Sequence, residues 1–150
     1  MIEDLQDTYP GAGTFTLGED AETSAALIAL VRAKTKHAEC AALAEFGGDM
    51  TSMPKVGRCD IIANWDGTPA VVIKTTSVKT LPFDKVTERM AVAEGEHETL
   101  AAWQEAREAH FKQHGGFKPD MMLVFEFFEV VENLIGREID PDTDLGGEIK

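Results

Sequence analysis

Three groupings of reactive side chains stand out in this chain of 150 residues. The first is cationic. Between Val31 and Lys79 seven bases (Arg32, Lys34, Lys36, Lys55, Arg58, Lys74, Lys79) outnumber five acids, although the whole chain has 14 Lys and Arg against 27 Asp and Glu. Clustered cations attract phosphate, so Lys36, Lys55, Arg58 and Lys74 are expected to form a positive strip facing a helix pair over 84–114; solvated surface lysines are the alternative. The second is Cys40, near Lys36 and His37, whose charges would favour a thiolate; the alternative is a small buried core residue. A regular strand puts Lys36 and Cys40 on one side and His37 and Glu39 on the other, so Lys36 and Glu39 meet only if the backbone is irregular. The third is His110 with His114, four apart on one helix face. No Glu follows the first His and no third ligand is evident, so these read as surface histidines, and neither metal nor cofactor is expected.

The elements that must position these groups are legible from local pattern. Acids at Glu19, Asp20 and Glu22, apolar Ala26, Leu27, Leu30 and Val31, and terminal Arg32 and Lys34 predict a helix over 19–34. Thr35 to Leu43 fits strand or helix. Phe46-Gly47-Gly48-Asp49 reads as a loop, and Val56 to Trp65 as a strand. Asp66-Gly67 turns the chain, and Val71 to Val78 returns as the partner strand. Asp84 is expected to cap a helix reaching Ala93. A second helix over 98–114 buries Leu100, Trp103, Ala106 and Phe111 and stops at Gly115-Gly116. Met121 to Val131 is a last strand, expected in the same sheet as 57–65 and 69–80. Trp65 and Trp103 are expected in the core. The order of elements predicts an α+β fold with a small mixed or antiparallel sheet or barrel.

Composition bounds the function. The net charge is −13 and the sequence pI about 4.6, which excludes a whole-chain basic footprint for nucleic acid. Residues 1–24 hold six acids and no base, and 132–150 six acids and two bases. No apolar run has the ~20 residues of a membrane helix, so no membrane partner is expected. Met1-Ile2-Glu3-Asp4 is no secretory start, and two cysteines make no disulfide scaffold, so a cytoplasmic protein with reduced thiols is expected.

Five segments, in order, carry a resemblance. Ala33-Lys34-Thr35-Lys36-His37-Ala38-Glu39-Cys40 is similar to a Gly-x-Lys-x-x-Thr signature. Met53-Pro54-Lys55-Val56-Gly57 matches a Pro-Lys-Val-Gly step. Val72-Ile73-Lys74-Thr75-Thr76 through Pro82-Phe83-Asp84-Lys85-Val86 matches an Ile-x-Thr-Thr…Pro-Phe-Asp-x-Val run. Ala93-Glu94-Gly95-Glu96, then Leu100, Trp103 and Phe111, matches an Ala-Glu-Gly-Glu helix pair. Pro119-Asp120-Met121 with Phe125-Glu126-Phe127-Phe128 matches a Pro-Asp-Met…Glu-Arg-Phe ending. Together they resemble the ASCH domain family, in its longer bacterial branch. That resemblance implies one PUA-like domain over 1–150, a small β-barrel with surrounding helices and a core over about 15–131, followed by an acidic tail over about 137–150.

The resemblance also implies a cleft for RNA or modified nucleosides, and in some members hydrolysis of N4-acetylcytidine or cleavage of RNA. The signature lysine falls on Lys36 and the acid on Glu96. The signature threonine falls on Glu39, the glycine on Lys34 and the last-strand arginine on Phe127. With the hydroxyl nucleophile gone, either hydrolysis proceeds through water, with Glu96 as base and Lys36 holding the oxyanion, or the chemistry has changed or gone. Lys36 and Glu96 are expected to approach each other, with Glu39 as the third catalytic candidate and Lys34, Lys55, Arg58 and Lys74 as ligand or RNA contacts. The competing functions are an RNA-binding or ribonuclease module acting on single strands, and a non-catalytic ligand- or protein-interaction domain.

Overall fold

The computed structural model describes residues 5–49 and 52–134. The elements are α1 (Leu5–Thr8), β1 (Gly13–Phe15), α2 (Ala21–Arg32), β2 (Ala38–Ala42), β3 (Cys59–Ala63), β4 (Pro69–Pro82), α3 (Glu88–Ala93), α4 (Leu100–Gln113) and β5 (Met122–Asn133), with 3₁₀ turns at Leu43–Phe46 and Phe83–Lys85. The strands pair in the order β1-β3-β4-β5-β2, so 121–131 does join the sheet of the hairpin. The sheet is mixed: β1 runs parallel to β3, whereas β3–β4 and β2–β5 are antiparallel. No helix among the described residues is long and apolar enough to cross a membrane. The tail over 137–150 lies outside the described residues.

The chain forms two compact units. The first comprises, among the described residues, 5–34, 57–75 and 129–134. Asp20 caps α2 by accepting from the Thr23 N–H at 2.7 Å, and Ile28 and Val31 are its buried apolar side chains. Leu5, Ile61, Val72 and Leu134 form a core cluster there. Asn64 N–H donates to Thr68 O at 2.8 Å and closes the Asp66-Gly67 hairpin.

The second unit comprises 35–49, 52–56 and 76–128 and holds the larger apolar cluster, with Trp103, Phe83, Phe111, Leu123 and Phe125 at its centre. Phe83 stacks on Trp103 with ring centroids 5.2 Å apart and meets Phe111 and Phe117 edge-on. Three local expectations change. Asp84 lies in a 3₁₀ turn, and Thr87 caps α3 by accepting from Met90 N–H. Thr99 caps α4, which begins at Leu100 and not at Glu98. Trp103 is fully buried, but Trp65 is 48% exposed because it stands at the mouth of the hairpin turn.

The approach of the α3–α4 turn to the start of β2 positions the site. His37 N–H donates to Ala93 O at 2.9 Å. Gly95 then passes directly over Lys36 with φ +77. A Cβ there would stand 2.7 Å from Thr35 O and 2.8 Å from Lys36 N and Cα, all backbone atoms that cannot swing aside. Only glycine meets both demands. Gly95→Ala is therefore expected to destabilise the protein by about 1–3 kcal/mol, read as a lowered midpoint in urea unfolding with an unchanged slope.

Candidate functional site

Lys36 precedes β2, after a turn in which Lys34 takes φ 65. The strand alternation therefore begins after it, and the irregular backbone that a Lys36–Glu39 contact requires is present. The Lys36 side chain has no exposure. Its Nζ donates to Glu96 Oε2 at 2.9 Å, Ala38 O at 3.0 Å, Glu39 Oε1 at 3.1 Å and Glu94 O at 3.2 Å. Four acceptors share three N–H groups, so at least one bond is divided. Lys36 and Glu96, 60 residues apart, thus meet as the sequence leads one to expect.

Two further residues, Glu94 and Arg107, complete the cluster. Glu94 is 1% exposed. Its Oε1 accepts from Trp103 Nε1 at 2.8 Å, Arg107 Nη2 at 2.7 Å and Arg107 Nε at 3.2 Å. Arg107 Nη2 also reaches Glu39 Oε1 at 3.3 Å and Glu96 Oε2 at 3.9 Å. The Ala93-Glu94-Gly95-Glu96 tetrapeptide thereby supplies a carbonyl to His37, a carboxylate to Trp103 and Arg107, a close passage over Lys36, and a counter-charge for its ammonium. Glu94 and Arg107 do not emerge from the sequence as site residues. A signal for Arg107 exists: it falls at i+4 from Trp103 and i−4 from Phe111, so a guanidinium sits in the apolar stripe of α4.

The charges set one another. Burial pulls the Lys36 pKa down, but Glu39, Glu94 and Glu96 outweigh it and hold it above the ordinary 10.5. Burial pushes Glu96 up, while the charge and hydrogen bond of Lys36, then Arg107, bring it below the ordinary 4.5. The register places Glu126 directly across from Glu39, an unfavourable pairing of like charges that Lys36 and Arg107 offset at Glu39. The reactive-thiol alternative for Cys40 does not hold. Burial first, and Glu94 next, raise its pKa well above 9.0, leaving an 8% exposed thiol in the core.

Glu39, Glu94 and Glu96 each offer a carboxylate oxygen within 4.8 Å of the others. Lys36 and Arg107 are already hydrogen-bonded to one oxygen of each of these carboxylates, so a metal ion there would meet two cations in place. His110 and His114 stack on each other with ring centroids 4.4 Å apart. Of the other predicted contacts, Lys34 and Lys74 are exposed in the first unit, where Arg58 Nε pairs with Asp60 at 3.0 Å. Lys55 is exposed in the second. Lys36, being buried, adds nothing to a surface strip. A cavity of about 520 Å³, lined by Leu43, Phe46, Met53, Met121 and Met122 among others, contains none of the cluster residues.

The ASCH domain model matches residues 13–132. The chain is 30% identical to an ASCH domain of known structure from Lactobacillus crispatus JV V101, with a TM-score of 0.75 and 87% of this chain and 86% of that one covered. It is 31% identical to protein EF3133 from Enterococcus faecalis V583, with a TM-score of 0.76 and coverage of 89% and 86%. The hypothetical protein PH0355 shares the fold alone, at 13% identity and a TM-score of 0.51, over 80% of this chain and 99% of that one. No curated protein matches. The fold is α+β and PUA-like.

The ion pair has a pH signature. A depressed carboxylate stabilises the folded state above its unfolded pKa, and that contribution fades as pH falls through the folded value. A raised lysine stabilises below its unfolded pKa and fades as pH climbs through the folded value. The cluster's contribution is thus full between the ordinary values of 4.5 and 10.5 and falls away on both sides. Glu96→Gln is expected to lower stability at pH 7 and to flatten the acid limb, measured by urea unfolding from about pH 7 to 3.

Proposed function

The chain belongs to the ASCH domain family, and from that premise we propose that it binds a modified nucleoside at the Lys36–Glu96 cluster and hydrolyses its acyl amide, with N4-acetylcytidine as the reference substrate. The observation that carries this reading is the 2.9 Å pair between a fully buried lysine and a glutamate whose side chain is 27% exposed. It couples a fixed positive charge to a carboxylate that solvent can reach.

The chemistry follows from those two groups. Water adds to the acyl carbon while Glu96 takes its proton. The carbonyl oxygen becomes an oxyanion, and the Lys36 ammonium stabilises it. The C–N bond then breaks, its electron pair goes to the amine nitrogen, and Glu96 returns the proton there. The products are acetate and the free exocyclic amine. Glu39 stands where the family signature has a hydroxyl, so water is the nucleophile. A carboxylate held below its usual range is a weak base, so slow turnover is expected.

Charge favours a neutral substrate. The cluster holds three carboxylates and two cations, a formal −1, whereas phosphate contacts depend on a surplus of cations. The RNA-binding or ribonuclease reading rests instead on Lys34, Lys55, Arg58 and Lys74, of which Arg58 is already paired with Asp60. The reading of a ligand-binding module that has lost its chemistry draws on Glu39.

Purified protein incubated with N4-acetylcytidine should release acetate slowly. Glu96→Gln should reduce the rate by about 10²-fold or more, the usual contribution of a general base. Lys36→Ala should abolish it, and thermal unfolding of that variant separates lost chemistry from lost fold. Glu39→Thr should raise the rate. An inactive parent whose Glu39→Thr variant gains nothing overturns the hydrolase reading in favour of a binding module.

A further inference from the structure

We propose that Lys36 Nζ and Arg107 Nη2 form a two-cation site for a carboxylate or acyl oxygen, and that Glu39 fills this site in the free protein. The inference takes its ligand class from the function proposed above, but it does not require turnover.

Glu39 is bonded to both cations through one oxygen, Oε1, at 3.1 Å from Lys36 and 3.3 Å from Arg107. Each is longer than the same cation's shortest carboxylate contact. Lys36 holds Glu96 at 2.9 Å, and Arg107 holds Glu94 at 2.7 Å. The four-membered remainder, Lys36 with Glu96 and Arg107 with Glu94, is already charge-balanced. Glu39 is therefore the surplus carboxylate, and its side chain is the most exposed of the three at 35%.

The two donors belong to the rest of the cluster and do not need Glu39 to stay in place. Lys36 keeps Ala38 O, Glu94 O and Glu96, and Arg107 keeps two bonds to Glu94 Oε1. Glu39 sits on the regular strand β2, so a change of side-chain rotamer takes it to solvent without backbone movement. An incoming acetate, or the carbonyl of an N-acyl group, then meets the same two N–H donors. An acetate restores the charge that Glu39 removes. Arg107 is thus a second oxyanion donor beside Lys36, covered by the protein's own carboxylate.

The competition is steep because Glu39 is tethered. Short intramolecular connections act as effective concentrations on the order of millimolar or above, and free ligand must exceed that before it displaces the side chain. Apparent affinity falls by the fraction of molecules whose site is open.

Calorimetric titration with sodium acetate at neutral pH reads this directly, with sodium chloride at matched ionic strength as the control. Glu39→Ala is expected to bind acetate at least ~10-fold more tightly than the parent. Glu39→Gln, which keeps the shape and an oxygen acceptor but no charge, is expected to fall between them and serves where Glu39→Ala fails to fold. Adding Arg107→Gln to either variant should remove the gain. The proposal is overturned if neither Glu39 variant binds acetate more tightly, if chloride gives the same heat, or if the gain survives Arg107→Gln. Acetate binding without N4-acetylcytidine turnover removes only the hydrolase reading. Turnover without the acetate gain removes only the two-cation site.

Discussion

A lysine ammonium with no solvent exposure is the constraint on which the second unit depends. Taking such an ion out of water costs several kcal/mol even after relaxation, and the cost is recovered only where every proton has an acceptor and the charge a partner. Here the partners come from three places in the chain. The start of β2 supplies Ala38 O and Glu39, the α3–α4 turn supplies Glu94 O and Glu96, and α4 supplies Arg107 to balance the acids gathered for Lys36. Charge balance accordingly ties a polar knot to the apolar cluster. Trp103 shows the join: its ring stacks on Phe83 in the core, and its Nε1–H holds Glu94.

Breaking that balance is more consequential than the fold alone suggests. Loss of one partner of a buried pair typically costs about 3–5 kcal/mol, because the other charge is left uncompensated in a poor solvent. Glu94 is the most sensitive member. One of its oxygens takes three hydrogen bonds, while Oε2 is buried with no partner among the described residues. Arg107 and Trp103 hold that carboxylate in place. The acids at the surface of the cluster, Glu39 and Glu96, keep partial access to solvent and retain the freedom that chemistry or binding needs.

Much of this arrangement was legible in the sequence, and the reason is local. The apolar runs Val71 to Val78 and Met121 to Val131 marked β4 and β5, Asp66-Gly67 marked the hairpin, and Gly115-Gly116 marked the end of α4. The Lys36–Glu96 meeting came from matched motifs and not from physics, since two residues 60 apart carry no local signal of contact. What stayed hidden has physical causes. The strand β1 is three residues long and pairs in parallel, below what periodicity can register. Thr87 outcompetes Asp84 as a cap because cap geometry depends on where the helix begins. Glu94 reads as one more acid in a helix-breaking turn. Its burial follows only from Arg107 and Trp103 closing over it, a tertiary event.

Glu39 is therefore not an isolated side chain in the cluster. A threonine at that position would be neutral and would leave Lys36 to Glu96 and Arg107 to Glu94, two self-sufficient pairs. A glutamate adds a carboxylate that needs a cation, and Arg107 provides one by bending a third contact toward it at 3.3 Å. Cys40, one residue on, offers no reactive thiol, since the core that buries it also raises its pKa. The cluster is thus rich in charge, and in the hydrolysis proposed above water is its nucleophile. That surplus charge lies in one residue on β2, Glu39.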